Sequence, residues 1–174
     1  METINKLISE KEIQKKVKEL AHQIKNDYNE EITVICVLKG AFTFTADLVR
    51  AIDSNLKIEF IKVSSYGNNT ESTGKVNLGY STLENVKGKK LLIVEDIVDT
   101  GYTLKALAEY YYSLSPKSIK ICTLLDKPER RKVEINVDYV GFTIPDQFVV
   151  GYGIDYAEKY RNLPYIGVVH LDDK

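Results

Sequence analysis

The chain carries no surplus of charge: 24 Lys and Arg stand against 25 Asp and Glu, for a formal net charge of -1. A polyanion therefore meets no general attraction, so no nucleic-acid partner is expected and any anion site must be local. No apolar run approaches the roughly 18 residues of a membrane span, and the N-terminal METINKLISEKE lacks a signal-peptide core. A cytoplasmic protein with no membrane partner is the expectation. There are only two cysteines, Cys36 and Cys122, each inside an apolar run (VICVL and IKICTLL). A thiol there behaves as a small hydrophobe, which argues against a disulfide framework or a cysteine metal site. The histidines, His22 and His170, are too far apart in sequence to suggest a zinc-ligand pair.

What is present is alternation. The length of 174 residues suits one domain over 1–174. Ser9 and Glu12 have capping-box spacing, and Ile13, Val17, Leu20, Ala21 and Ile24 then recur at helical period. ITVICVL (Ile32 to Leu38) is almost wholly apolar, which suits a strand buried on both faces of a parallel sheet. A helix through Phe42, Ala46, Leu48, Val49 and Ile52 follows, then the strand IEFIKV at Ile58 to Val63. Ser64 to Lys75 is a polar loop of a length expected to be functional or mobile, the plainer alternative being a disordered hairpin tip. After it come VNLGYS, KKLLIVED, a helix from about Thr103 to Ser113 and the strand Ser118 to Leu125. Beyond Lys127 the chain is rich in strands and loops, without a long helical pattern. These elements predict an α/β fold, a central, mainly parallel sheet flanked by helices.

The chemistry concentrates in LLIVEDIVDTGYTL, Leu91 to Leu104. An apolar strand delivers Glu95 and Asp96 to its C-terminal end, where α/β sheets place ligands. Buried without partners, two adjacent carboxylates would cost several kcal/mol, so they should face cations or hydroxyl groups. DTGYT then runs directly into a helix, whose first amides are open donors for an anion. Gly101 permits close approach, and Thr100 and Thr103 add hydroxyls. The pattern fits a sugar phosphate; the plainer alternative is that Asp99 or Thr100 only caps the helix.

VEDIVDTGYT resembles the phosphoribosyl pyrophosphate signature of the type I phosphoribosyltransferases: apolar strand, two acids, then Asp-Thr-Gly-x-Thr. Further segments are similar to the hypoxanthine-guanine branch of that family, and the likeness runs from Val34 to Val169. They are LKG (Leu38 to Gly40), SSYG (Ser64 to Gly67), LLDKPERR, and Ile144 to Gly167. The resemblance implies a small hood made by N- and C-terminal segments, mainly about residues 144–174.

It also implies roles. Glu95 and Asp96 would bind the ribose hydroxyls, directly or through Mg2+, with Asp99, Thr100, Gly101, Tyr102 and Thr103 around the 5-phosphate. Asp99 would double as the general base near purine N7. Leu38, Lys39 and Gly40 would meet pyrophosphate, at a peptide bond that can be cis, and Arg161 would be a second pyrophosphate ligand. Lys127 would donate to a purine 6-oxo group, Phe148 would stack on the base and the Val149 carbonyl would accept from it. Asp155, beside the purine, would provide a second magnesium site. Ser65 and Tyr66 would form a lid. Tyr102 and Gln147 stand where a lysine can occur in the family pattern, leaving less positive charge near the nucleotide.

The implied activity is purine salvage: phosphoribosyl transfer from phosphoribosyl pyrophosphate to hypoxanthine or guanine. The rivals are a xanthine-preferring or pyrimidine enzyme and a non-enzymatic phosphoribosyl pyrophosphate-binding regulator. Against the regulator, no nucleic-acid-binding module is visible. A phospho-acceptor receiver domain is disfavoured because its acid pair would sit on the first strand. Tyr110, Tyr111 and Tyr112 cannot all face one core, which leaves a tyrosine for a subunit contact in an expected homodimer or homotetramer.

Overall fold

Ser9 opens the first helix as its spacing to Glu12 predicts. In the computed structural model, which describes residues 2–65, 76–81 and 85–171, helix α1 (Glu10–Asp27) begins with a complete capping box. The Ser9 hydroxyl accepts from the Glu12 amide at 3.3 Å, and the Glu12 carboxylate accepts from the Ser9 amide at 2.8 Å. Two donors that a helix start leaves open are thereby satisfied. The buried face of α1 is Ile13, Val17, Leu20, Ala21 and Ile24, the five positions read from the period.

The remaining elements are β1 (Glu2–Ile8), β2 (Ile32–Leu38), α2 (Phe42–Ala51), β3 (Leu56–Ser65), β4 (Val76–Ser81), β5 (Lys90–Val98), α3 (Tyr102–Ser113), β6 (Ser118–Asp126), β7 (Tyr139–Thr143), β8 (Val149–Val150) and β9 (Ile166–Leu171). Six strands form the main sheet in the order β4-β3-β2-β5-β6-β7. The five from β3 to β7 are parallel, and β4 closes the edge antiparallel. β2 is buried from Ile32 to Val37, as a central strand covered on both faces should be. On β5, Leu92 and Val94 face the layer of α1 and α2, whereas Leu91 and Ile93 face that of α3. The two-residue strand period thus feeds two cores from one strand.

The helix expected through Phe42, Ala46, Leu48, Val49 and Ile52 forms as α2, with Ile52 as its C-cap. α2 buries Phe44, Thr45 and Leu48, while Phe42 is 47% exposed.

The chain ends build a second sheet, β1-β9-β8, antiparallel throughout. This is the hood: an N-terminal strand joined to two C-terminal ones, capping the α1/α2 side, where Ile8, Val149, Tyr152 and Val168 join the same core. Asp47 of α2 ties it down, accepting from the Tyr152 hydroxyl, from Arg50 and from Gln14 of α1 at 3.2 Å. Burial alone would raise the Asp47 carboxyl, but those hydrogen bonds hold it below the usual carboxylate range. The expected lid residue Tyr66 lies outside the described residues, as does the side chain of Ser65.

Candidate active site

From β2 the main chain proceeds to β3 on one side, while β5 pairs with β2 on the other. The crevice between the C-terminal ends of β2 and β5 is therefore the switch point, where open α/β sheets bind ligands. Leu38 to Gly40 leave β2 there and Glu95 to Thr103 leave β5 beside them. The Leu38–Lys39 peptide bond is cis. Gly40 passes so near Asp96 that a Cβ would lie 1.7 Å from its Oδ2. Gly153, at φ 102, packs behind, where a Cβ would lie 2.1 Å from the Gly40 carbonyl oxygen. Three segments distant in sequence thus meet closely here, and at Gly153, where φ is positive and a Cβ would strike the Gly40 backbone, only glycine fits.

Glu95 is buried and Asp96 nearly so. Burial, then the Asp96 charge, pushes the Glu95 carboxyl well above the usual range, and burial likewise raises Asp96. Arg161 acts on Asp96 in the opposite sense, through space. Ile97 donates its amide to Asp96 at 2.7 Å. Among the described residues the pair is thus a concentration of acid without a bonded cation, the arrangement that a divalent ion or sugar hydroxyls would relieve.

Gly101, at φ 90, is the N-cap of α3, and no side chain caps that helix. Asp99 and Thr100 therefore do not act as helix caps, and the first amides of α3 stay open. A cavity of about 280 Å³ lies over them, lined by Leu38, Gly40, Glu95, Asp96, Asp99, Thr100, Gly101 and Thr103 among others. A second, of about 290 Å³, is lined by Lys127, Phe148, Val149, Asp155, Arg130 and Asp146, with Ile154. Asp99 and Ile97 line both. Lys127 is only 8% exposed, whereas Phe148 is 54% exposed and meets Tyr156 edge to face at 5.4 Å. Tyr102, Lys39 and Arg161 line neither cavity. Arg161 is held by Asp155 at 2.8 Å and by the Gly153 carbonyl at 2.8 Å, and Lys39 reaches Glu158 at 2.8 Å.

Several residues here escaped the sequence reading. Arg130 donates from Nε to Asp99 Oδ1 at 2.9 Å and faces Asp146 at 3.5 Å, which in turn is 3.8 Å from Lys127. Arg131 pairs with Asp126 and donates to the Asp99 carbonyl at 3.1 Å, while Thr100 accepts from the Lys132 amide at 3.0 Å. The segment after β6 thus clamps the turn before α3. Doubled arginine after a strand end was the available signal, but it names no partner.

An open, mainly parallel sheet with an acid pair and a helix start at its switch point defines an α/β protein with a ligand crevice at that point. The chain belongs to the phosphoribosyl transferase domain family, whose model matches residues 5–157. It is 55% identical over 164 residues to the hypoxanthine-guanine phosphoribosyltransferase of Bacillus subtilis (strain 168), covering 94% of this chain and 91% of that protein. The Aquifex aeolicus (strain VF5) protein of the same name is 47% identical over 165 residues, covering 94% and 93%. Among solved structures, a hypoxanthine-guanine phosphoribosyltransferase from Bacillus anthracis superimposes with a TM-score of 0.91 at 57% identity, covering 95% of this chain and 98% of the other. These likenesses are to transferase enzymes, so the regulator and receiver alternatives fall away.

Proposed function

We propose that this chain transfers the 5-phosphoribosyl group of phosphoribosyl pyrophosphate to hypoxanthine or guanine, forming IMP or GMP and releasing pyrophosphate. The observation that carries the reading is the position of Asp99 on the wall shared by the two cavities. One cavity has the acid pair and open helix amides that suit a ribose 5-phosphate. The other has a buried lysine and an exposed aromatic ring that suit a planar oxo base.

In this reading, amides at the start of α3 and the Thr100 and Thr103 hydroxyls hold the 5-phosphate. Phe148 stacks on the base and Lys127 donates to its 6-oxo group, with the Val149 carbonyl accepting at the ring edge. Adenine offers a 6-amino donor instead, leaving Lys127 unpaired, a mismatch that costs factors of about 10⁴ in comparable sites. Purine N9 attacks ribose C1 as the bond from C1 to the pyrophosphate oxygen breaks. Asp99 takes the purine proton, and its value lies in placement, since a carboxylate is a weak base. Lys39, Arg161 and the Gly40 backbone hold the leaving pyrophosphate.

Magnesium fits by donor chemistry: Glu95 and Asp96 are hard oxygen ligands that, among the described residues, have no bonded cation. Among the described residues no cluster of three or more His, Cys, Asp or Glu could hold a metal ion, so substrate oxygens would complete the shell. Asp155 already engages Arg161 and the Glu158 amide and would join by sharing its oxygens. When bound, the ion neutralises charge on the departing pyrophosphate.

Assembly as a homodimer or homotetramer belongs to the same reading, supported by Tyr112 at 60% exposure beside a buried Tyr111. So does a cytoplasmic location; among the described residues no helix is long and apolar enough to cross a membrane. The deciding experiment incubates the protein with phosphoribosyl pyrophosphate, magnesium and, separately, hypoxanthine, guanine, xanthine, adenine or uracil. IMP and GMP are the expected products. Failure to form nucleotide from either hypoxanthine or guanine overturns the reading.

A further inference from the structure

Lys39 and Arg161 come from opposite parts of the chain, yet both reach one carboxylate. Lys39 Nζ is 2.8 Å from Glu158 Oε2, and Arg161 Nη2 is 3.2 Å from Glu158 Oε1. The Glu158 side chain is 67% exposed, so packing does not explain its position. Its backbone does. Ala157, Glu158 and Tyr160 have φ of 49, 64 and 73, a left-handed run that non-glycine residues rarely adopt. The turn is closed by the Glu158 amide, which donates to Asp155 Oδ2 at 2.8 Å, and by pairing of Tyr156 with Lys159. The Lys39 ammonium, then Arg161, holds the Glu158 carboxyl below the usual carboxylate range.

We propose that Glu158 is a built-in competitor for pyrophosphate: it bridges Lys39 and Arg161 in the free protein, gives way when pyrophosphate binds, and so speeds release of that product. This rests on the assignment of Lys39 and Arg161 to pyrophosphate. The ligand brings more charge and more oxygens than one carboxylate, so it wins the exchange. The ion pairs it breaks nevertheless subtract from its affinity. Arg161 keeps its bonds to Asp155 and the Gly153 carbonyl after the exchange, so the guanidinium stays in place while its third partner changes. Glu158 is thus a positioning residue that sets how tightly the leaving group is held.

The test is calorimetric titration of inorganic pyrophosphate with magnesium at low ionic strength, paired with steady-state kinetics. Glu158→Gln should bind pyrophosphate about three- to tenfold more tightly, the scale of two exposed ion pairs, and KM for phosphoribosyl pyrophosphate should fall in parallel. Glu158→Asp keeps the charge but withdraws it by one methylene, and should shift in the same direction. Unchanged or weaker binding by Glu158→Gln overturns the proposal. Tighter binding by Glu158→Gln with wild-type binding by Glu158→Asp also overturns it, by assigning the effect to net field rather than contact. Arg161→Ala separates the layers: if it binds pyrophosphate as tightly as wild type, the site assignment itself fails and takes the proposal with it.

Discussion

At the scale of single residues, Asp99 shows what a linear motif can and cannot disclose. Its setting, strand then acids then glycine then helix, is local, so the acid pair at a strand end and the helix start beside it were legible from Leu91 to Leu104 alone. Its partner was not. Arg130 lies 31 positions away, and only the fold brings its Nε to 2.9 Å from Asp99 Oδ1. That bond engages one carboxylate oxygen and leaves the other for the base. Asp99→Asn removes the proton acceptor and should lower kcat by at least about a hundredfold, the low end of the range of about 10²–10⁴ that general bases contribute. KM for phosphoribosyl pyrophosphate should stay near wild type; an unchanged kcat would remove Asp99 from the role. Arg130→Ala should lower kcat less, by about tenfold, because misplacement rather than loss of a group is at issue. Arg130→Lys should recover part of the rate, and its failure to do so would return Arg130 to a purely structural part.

At the scale of elements, the sequence was most legible where one segment contains its own instructions. The capping box and period of α1, the unbroken apolar run of β2 and the start of α3 need no distant partner to be read. The hood does. Glu2 pairs with Leu171 at opposite ends of the chain, and Asp47 meets Tyr152 across 105 positions. Asp47 provides the test of how the hood is held. Its carboxyl is depressed in the folded chain, so its contribution is present above the unfolded value, about 3.9, and is lost as pH falls through the folded value. Asp47→Asn should therefore reduce stability by about 1 to 3 kcal/mol at pH 7. That deficit should narrow as pH is lowered from about 5 toward 3. Thermal melts of the two proteins across this range measure it, and a deficit independent of pH would show that the charge of Asp47 is not what secures Tyr152.

At the scale of the whole molecule, a chain with almost no net charge has gathered its acid where the sheet is most buried. Nothing in folding alone favours this: Glu95 is 8% exposed, shares its environment with Asp96 and has its carboxyl pushed well above the usual range by burial. The free fold carries that penalty, and ligand binding relieves it, so stability and activity are opposed at this position. Glu95→Gln keeps the shape and removes the charge. At pH 8 and without ligands it should be more stable than wild type by about 1 kcal/mol or more, a Tm rise of roughly 2 to 4 °C for a chain of this length. Magnesium with phosphoribosyl pyrophosphate should then stabilise wild type and fail to stabilise the variant, so that addition of ligand reverses the order of their melting temperatures. A Glu95→Gln protein that melts below ligand-free wild type would mean that the acid pair is part of the scaffold, with its repulsion already compensated inside the fold.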